Sequence, residues 1–306
     1  MLQPDVSMDA STPSADSPTL SARLFVALQY LLPQHFLSRQ VHRLTRSRVK
    51  PVKNVLIGAF MRHFHPDMSD AADPEPRDYP SFNAFFTRSL RPGSRPCDPD
   101  PLVLASPVDG TVSQVGRLDG LRMLQAKGHD YSIAALLGSA SGWAERFAGG
   151  SFATLYLAPY NYHRIHMPAA ATLRGAWFVP GKLFSVNAVT AAAVPGLFAR
   201  NERVVCAFEE GPLAFALALV GALFVGSIAT VWHGDVTPCS PRRAAELPVD
   251  TGRAPARLDR GAELGRFNMG STVILLLPPD TAEWLPTLQP GSAVRVGQTL
   301  ARLRSP

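Results

Sequence analysis

A Gly270-Ser271 pair stands directly before the apolar run formed by residues 272–277. A serine hydroxyl can attack the carbonyl carbon of the preceding residue, which converts the amide into an ester, and a glycine there has no Cβ to obstruct the attack. Elimination from that ester would cut the chain and leave a pyruvoyl group where the serine stood. A Gly-Ser turn that leads into a core strand would look the same, so the surrounding residues must decide.

Five segments of the chain together resemble one protein family, in that family's own order. Residues 269–272 are Met-Gly-Ser-Thr, where phosphatidylserine decarboxylases usually have Leu-Gly-Ser-Thr, and methionine and leucine are flexible apolar side chains of similar volume. The other four segments are residues 82–92 (FNAFFTRSLRP), 106–110 (SPVDG), 162–168 (YHRIHMP), and 181–187 (GKLFSVN) with 197–203 (LFARNER). The resemblance to the phosphatidylserine decarboxylase family extends over about residues 20–302.

This resemblance implies both an activity and roles for individual residues. Ser271 would become a pyruvoyl group that forms a Schiff base with phosphatidylserine and accepts electrons as carbon dioxide leaves, so no separate cofactor is needed. His166 would take the Ser271 proton, and Asp109 would orient His166. His163 would relay a proton during turnover. Taken alone, Asp109 is compatible with a simple Asp-Gly turn, and either histidine with a satisfied core residue.

Neither the histidines nor the cysteines have the spacing of a metal site. In an extended segment, His163 and His166 would tend towards opposite faces, so we expect no shared metal. Cys97, Cys206 and Cys239 are odd in number and include no Cys-x-x-Cys pair, which favours a reducing cytoplasm. Lys182, Arg200 and Arg203 are candidates for the substrate's phosphodiester because they lie in family-like segments, although solvation at the surface is the simpler interpretation for each.

The N-terminal part is basic and amphipathic. The chain has 306 residues and a formal charge of +6, and residues 18–66 contain no acidic residue while they include Arg39, Arg43 and Arg46. Leucines recur at helical spacing through residues 20–32, and apolar stripes continue to Phe64, which is typical of helices that lie in a bilayer interface. The apolar stripes favour an anionic membrane surface over nucleic acid as the partner. Packing of these helices on the core is the alternative, and both can hold for different faces.

The composition divides the chain into four parts. Residues 1–19 are predicted to be a disordered tail, 20–66 basic helices for membrane association, 67–79 a linker, and 80–306 the self-cleaving domain, which would be cut into a long chain 1–270 and a short chain 271–306. The two pieces should stay together as partners. A homodimer is left open.

The fold class indicated is α+β, with a mostly antiparallel β core behind the N-terminal helices. Residues 291–303 and 106–112 resemble the closing hairpin and opening strand of lipoyl- and biotinyl-carrier barrels, without a lysine to modify. Residues 213–232 are uncharged and long enough for a membrane span, but their glycines and alternating apolar residues favour two buried strands, one near Phe215 to Leu219 and one near Leu223 and Val225. We therefore expect a peripheral protein on the cytoplasmic side of the cell membrane.

Two functions from other classes remain open on the sequence. One is a serine hydrolase that uses Ser271, His166 and Asp109 without cleavage, although the chain has no Gly-x-Ser-x-Gly turn at this serine. The other is a non-enzymatic β module that binds a membrane surface. An intact chain in the purified protein would favour one of these two over a self-processing decarboxylase.

Overall fold

The computed structural model describes residues 20–126, 129–223, 227–239, 242–249 and 257–304, so the predicted tail 1–19 lies outside it. The helices are α1 (Leu20–Leu31), α2 (Gln34–Thr45), α3 (Lys50–Phe64), α4 (Phe82–Phe86), α5 (Ile133–Leu137), α6 (Ala188–Ala193) and α7 (Leu197–Arg200). The strands are β1 (Val103–Ala105), β2 (Gly110–Arg117), β3 (Arg122–Ala126), β4 (His129–Ser132), β5 (Ser151–Leu157), β6 (Arg164–His166), β7 (Ala171–Val179), β8 (Arg203–Glu210), β9 (Leu213–Val220), β10 (Ile228–Thr230), β11 (Gly234–Asp235), β12 (Ala245–Leu247), β13 (Arg257–Leu258), β14 (Glu263–Phe267), β15 (Ser271–Leu277), β16 (Ala282–Trp284), β17 (Ala293–Val294) and β18 (Thr299–Leu303).

The largest sheet has nine strands within the described residues, in the order β12-β7-β8-β9-β15-β5-β2-β17, with β13 also pairing with β7. All of its pairs are antiparallel, as the sequence predicted. Strand β15 lies between β9 and β5, and all seven of its residues are buried. Its sequence, STVILLL, is apolar without interruption after the first two residues because both faces of the strand are covered.

Smaller sheets lie beside the large one. A four-stranded sheet has the order β11-β10-β14-β6, and a three-stranded sheet has the order β1-β18-β16. The predicted opening and closing pieces of a carrier-like barrel are neighbours: β17 pairs with β2, and β18 pairs with β1. The α+β class and the antiparallel core are therefore confirmed, while these pieces belong to separate sheets in the described residues and do not form a closed barrel.

The uncharged segment 213–232 contains a strand at each end. Strand β9 covers its first part as predicted, but the second strand is β10, from Ile228, and not the stretch around Leu223, which lies in a turn. Val225 is outside the described residues. Within the described part of the chain, no helix has both the length and the apolar character to cross a bilayer.

Helices α1 and α2 bury several polar residues together with Val26, and expose many of their apolar residues. Gln29 and Gln34 are buried, and their side-chain oxygens accept hydrogen bonds from the backbone N–H groups of Ser185 and Leu183, both at 2.7 Å. The exposed set, by contrast, includes Leu24, Phe25, Leu28, Leu31, Phe36 and Leu44. This pattern is the inverse of a surface helix that packs on a core.

Helix α3 packs in the ordinary way, with its apolar residues inward. Ile57 and Phe60 join Phe82, Phe85 and Phe86 in an aromatic cluster, and Ser81 caps α4 by accepting a hydrogen bond from the N–H of Ala84 at 3.2 Å. Met269, two residues before Ser271, packs against both this aromatic cluster and the main core. Part of the N-terminal region therefore serves the fold.

The position of β15 predicts the fate of the two pieces after cleavage at Gly270-Ser271. Residues 271–277 pair with β5 and residues 272–276 with β9, so a cut before β15 leaves its ladders intact. We expect both fragments to elute together at the mass of the whole chain in native size-exclusion chromatography and to separate only in denaturant. Elution of a free short fragment without denaturant would contradict this prediction.

Candidate active site

Ser271 is the first residue of β15 and is completely buried. It pairs with Leu157 of β5, its exposed fraction is 0%, and its Oγ has no hydrogen-bond partner in the described structure. A buried hydroxyl without a partner costs about 1–3 kcal/mol, so such atoms are rare and often functional. The predicted nucleophile is therefore buried away from solvent, and its hydroxyl oxygen makes no hydrogen bond in the described structure.

The carbonyl that Ser271 would attack belongs to Gly270. A Cβ built on Gly270 would lie 3.6 Å from the Leu157 carbonyl oxygen and 4.0 Å from His163 Nε2, which are ordinary contact distances. Packing alone therefore does not demand glycine here, and its missing side chain leaves one face of the carbonyl open. The same distances place the His163 ring beside the Gly270-Ser271 bond.

His163 is fully buried and has one unused nitrogen. Its Nδ1 lies 2.8 Å from the Asn161 carbonyl oxygen, and because a carbonyl only accepts, Nδ1 carries the proton. The lone pair is then on Nε2, which has no partner, and the ring packs on Phe86 with centroids 4.2 Å apart. Burial lowers the pKa of His163 to about 3, so the ring is neutral at neutral pH.

His166 has both of its nitrogens occupied. Nδ1 lies 2.7 Å from the Gly261 carbonyl oxygen and therefore donates, while Nε2 lies 3.0 Å from the Tyr162 hydroxyl and accepts from it. Burial lowers the pKa of His166 and raises that of Tyr162, so both groups are neutral at neutral pH. The two histidines thus have different hydrogen-bond partners.

Asp109 is held by Arg95 in the structure. Its carboxylate accepts from Arg95 Nε at 3.1 Å and Nη2 at 2.7 Å, and from the Val296 N–H at 2.8 Å. A bidentate arginine–carboxylate pair is among the stronger charged contacts in proteins, so the Asp109 carboxylate is already engaged by Arg95. No hydrogen bond joins Asp109 to His166 in the described structure, so the orienting role remains a prediction.

The predicted residues nevertheless gather at one end of the large sheet. A Cβ on Gly110 would lie 2.4 Å from the Tyr156 carbonyl oxygen, so glycine allows β2 to approach β5 there, and this places Asp109 one strand beyond Leu157 from Ser271. The His166 N–H donates to the Pro107 carbonyl at 2.8 Å, which brings this histidine to the same loop.

Several residues that support the site were not singled out from the sequence. Tyr162 and Phe86 lie inside the matched segments, where no local pattern distinguishes them from core aromatics. Arg95 lies outside every matched segment. Asn83 donates to Asn268 at 3.0 Å, which ties α4 to the loop before Gly270.

The three phosphodiester candidates divide into two kinds. Arg203 is only 2% exposed and donates to the backbone carbonyls of Leu136, Ala199, Asn201 and Ala135, and burial lowers its pKa to about 10. Surface solvation is therefore the wrong interpretation for Arg203, which holds backbone together. Lys182 and Arg200 are exposed. No cluster of three or more histidine, cysteine or acidic side chains arranged for a metal ion occurs among the described residues.

A buried serine behind a glycine, with an unpaired imidazole nitrogen beside the bond, is an arrangement suited to an intramolecular acyl shift. The family model for phosphatidylserine decarboxylase matches residues 82–302, and a second model, PSD, matches residues 24–65. The chain belongs to the phosphatidylserine decarboxylase family.

Close relatives carry the same description over nearly their whole length. The phosphatidylserine decarboxylase proenzyme of Azotobacter vinelandii is 52% identical over 281 residues, which cover 92% of this chain and 98% of the relative. The proenzyme of Pseudomonas fluorescens is 50% identical over 92% of this chain and 98% of its own. That of Bordetella pertussis is 50% identical over 91% of this chain and 94% of its own.

The burial of His163 predicts a loss of stability in acid. Its pKa is about 3 in the folded state and 6.5 in its ordinary state, so between these values the unfolded chain binds a proton that the folded chain does not. The contribution of His163 is complete above pH 6.5, and the free energy of unfolding should fall by up to about 1.4 kcal/mol per pH unit below it. Urea unfolding at several pH values measures the slope.

A matched pair of variants separates His163 from the other groups. H163Q should make the slope shallower, whereas H63Q, which replaces an exposed histidine, should leave it unchanged. Equal slopes for H163Q and the unmodified chain would show that His163 takes up protons freely when folded.

Proposed function

We propose that this chain is a proenzyme that cuts itself at Gly270-Ser271 and then converts phosphatidylserine to phosphatidylethanolamine and carbon dioxide. The observation that carries the proposal is the buried, unpaired Ser271 Oγ beside a bond that His163 Nε2 also approaches. The description of the relatives as proenzymes supports the processing step. Cleavage also separates this function from a serine hydrolase and from a non-enzymatic module.

The processing chemistry follows from the two residues at the bond. Ser271 Oγ loses its proton and attacks the Gly270 carbonyl carbon, the C–N bond breaks, and the nitrogen of residue 271 takes up a proton to give an ester. Loss of the Ser271 Cα proton then expels the Gly270 carboxylate. Water replaces the nitrogen, which leaves as ammonia, and a ketone remains at residue 271.

The surroundings of residue 271 fit a pyruvoyl group. Ser271 Oγ and His163 Nε2, which this chemistry uses, are buried and have no hydrogen-bond partner in the described structure, as is also true of Thr272 Oγ1. When formed, such a group supplies an electron sink for decarboxylation of an amino acid carboxylate. It comes from the chain itself, so we propose that no separate cofactor takes part.

His163 is proposed to handle the proton at the substrate carbon. Its Nδ1–H is fixed on the Asn161 carbonyl, so only Nε2 exchanges a proton, and Nε2 faces the bond. Because burial lowers the pKa of His163, the ring is neutral at rest, so Nε2 must first take up a proton before it passes that proton to the substrate carbon. Phe86, whose ring lies tilted against the imidazole at a centroid distance of 4.2 Å, covers His163.

His166 and Asp109 are proposed to serve the processing step, as the resemblance implies. In the structure, the Tyr162 hydroxyl occupies His166 Nε2, so this role requires the tyrosine to move away. One observation favours a second assignment, in which His163 takes the Ser271 proton, since its Nε2 is already free and near. The two assignments predict opposite cleavage outcomes for H163A and H166A.

Single substitutions test the function and the histidine roles together. S271A should leave one uncut chain without decarboxylase activity. H166A and D109N should accumulate uncut chain if they serve processing, while H163A should still be cut and should lose at least about 100-fold in turnover, as expected for loss of a general acid. Denaturing electrophoresis, mass spectrometry of the short fragment and carbon dioxide release provide the readouts.

Each outcome of this series has a definite meaning. Uncut H163A together with normally cut H166A would transfer the processing role to His163. A single intact chain in the unmodified protein would overturn self-cleavage, and esterase activity of that intact chain would identify a serine hydrolase. The short fragment should resist Edman degradation, because a ketone replaces its terminal amine.

Residues 20–66 are proposed to hold the enzyme on the cytoplasmic face of an anionic membrane. Leu24, Leu28 and Leu31 lie on one face of α1 and are 62%, 53% and 82% exposed, while the buried face of this helix includes Gln29. An apolar face turned to solvent and flanked by arginines is stabilised by insertion into a lipid interface. The substrate, phosphatidylserine, is a lipid of such a surface.

The likeness of residues 106–112 and 291–303 to a carrier barrel is proposed as architectural only. The Ser106 N–H donates to the Gln298 carbonyl at 2.7 Å and the Val112 N–H to the Ser292 carbonyl at 2.8 Å, which brings the two pieces together. The hairpin formed by residues 291–303 contains no lysine that could carry a prosthetic group. Residues 67–79 would connect the membrane helices to this domain.

The exposed leucines predict the effect of polar substitutions on membrane binding. L24S/L28S/L31S should weaken binding to anionic vesicles at least about tenfold, because each buried leucine contributes about 1.5–3 kcal/mol. The control L102S/L124S replaces two exposed leucines outside these helices and should bind normally. Co-sedimentation measures binding, and self-cleavage reports folding. Equal binding by the two variants would show that the α1 face does not contact lipid.

A further inference from the structure

A basic cavity lies where α1 and α2 meet the core, apart from the proposed catalytic residues. It has a volume of about 430 Å³, and its walls include Tyr30, His35, Lys182, Arg200 and Arg242. A second cavity of about 240 Å³ shares Tyr30 and Lys182 and extends to Phe36. One end is thus cationic and the other aromatic and apolar.

Backbone hydrogen bonds hold the segments that carry Lys182 and Arg200 next to each other. A Cβ on Gly181 would lie 2.4 Å from the Arg200 carbonyl oxygen, so only glycine lets this segment approach so closely. The Lys182 N–H donates to the Arg200 carbonyl and the Glu202 N–H to the Lys182 carbonyl, both at 2.8 Å. Two exposed cationic side chains are therefore presented from adjoining backbone.

The charge at the cavity is not balanced within the described residues. Arg242 pairs with Glu202 at 2.6 Å, whereas neither Lys182 nor Arg200 has an ion pair among the described residues, and Arg200 donates a hydrogen bond to the Tyr30 hydroxyl at 3.3 Å. Burial, together with the positive charges of Arg242, Lys182 and Arg39, lowers the pKa of His35 to about 4. This concentration of positive charge favours the binding of an anion.

Three strand spacings separate the backbone of this cavity from that of residue 271. Val220 of β9 lies beside Thr272, the Gly221 N–H bonds to Glu202, and Glu202 bonds to Lys182, so three strand spacings of about 4.8 Å, or about 14 Å, separate the two backbones. In phosphatidylserine four bonds of about 1.5 Å join the amine nitrogen to phosphorus, a reach of at most about 6 Å. A hydrogen bond of about 2.8 Å and a lysine side chain of about 6 Å bring the combined reach to about 15 Å, so a phospholipid held at residue 271 can reach the cavity, as can one bound elsewhere on the surface.

We infer that Lys182, Arg200 and Arg242 bind the phosphodiester of an anionic phospholipid whose chains lie beside the exposed apolar face of α1. The cationic end suits the phosphate, and the aromatic end, with Tyr30 and Phe36, suits the glycerol and the first carbons of the chains. The neighbouring Leu28 and Leu31 are exposed to receive the lipid interior. The bound lipid stabilises the corner between α1 and α2.

The test uses phosphatidylglycerol, which has no amine and so cannot react at residue 271; failure of this inference is thereby distinct from failure of the proposed catalysis. Vesicles of phosphatidylcholine with about one-third phosphatidylglycerol are compared with pure phosphatidylcholine. K182Q/R200Q, whose two side chains are exposed and support no core contact, should lose about fivefold in affinity per charge, or about 25-fold in all, for the anionic vesicles only. Self-cleavage of the variant reports its folding.

The matched control is R117Q/R122Q, which removes two exposed arginines, with Arg117 at the opposite end of β2 from Asp109. It should lose less than about twofold. Equal losses in the two double variants, or no loss in K182Q/R200Q, would overturn the site, because the attraction would then be general. Arg242 is left unchanged because its removal would strand the buried Glu202.

A second measurement distinguishes a lipid headgroup from free phosphate. Dihexanoyl phosphatidylglycerol below its micelle concentration and inorganic phosphate are each titrated while the His35 ring is followed by NMR. A bound anion cancels the field of Lys182, so saturation with the lipid should raise the pKa of His35, and K182Q/R200Q should not respond. If inorganic phosphate binds as tightly as the lipid, the site is a phosphate site and the lipid assignment fails.

Discussion

The site depends on one constraint: a hydroxyl that lacks a hydrogen-bond partner must stay buried at the start of the central strand. Such a group costs about 1–3 kcal/mol, and the chain holds it because β15 is fixed on both sides by β5 and β9. An edge strand would fray or admit water, and the Ser271 hydroxyl would then find another partner. The antiparallel sheet, with β15 inside it, is thus what keeps Ser271 available for attack on the preceding carbonyl.

The same location couples the N-terminal region to the chemistry. Met269 contacts both hydrophobic cores, Phe86 packs against His163, and Asn83 donates a hydrogen bond to Asn268 in the loop before Gly270. Asn268 lies near Asp235, which forms an ion pair at 2.9 Å with Arg46, the residue that follows α2. Contacts thus run from a helix of the proposed membrane region to the loop of the scissile bond, and α3 anchors that region by burying Ile57 and Phe60.

Sequence patterns were reliable where the physics is local and weak where it depends on distant partners. The apolar runs of β5, β8, β9 and β15 predict their strands because burial on both faces leaves little choice of residue. They do not reveal that Arg95 would take the Asp109 carboxylate, since the two residues meet only through the fold. The same holds for Arg203, whose charge indicates a surface and whose backbone carbonyl partners explain its burial. The predicted position of the second strand within residues 213–232 was wrong. Alternating apolar residues occur both in strands and in a turn such as the one at Leu223, so the pattern does not distinguish them.

Proton transfer at residue 271 depends on which imidazole nitrogen is free to accept a proton. The sequence alone does not reveal this, because the tautomer of each histidine is set by its hydrogen-bond partners in the fold. His163 and His166 each donate Nδ1–H to a backbone carbonyl, so the two rings share a tautomer and differ only at Nε2. In His166 that atom accepts from Tyr162, and in His163 it has no partner. His166 must give up a hydrogen bond worth about 0.5–1.5 kcal/mol before Nε2 can accept a proton, whereas the Nε2 of His163 is free but is made a weaker base by burial, which lowers its pKa to about 3. Motion of Tyr162 is therefore the step on which any role for His166 at Ser271 depends.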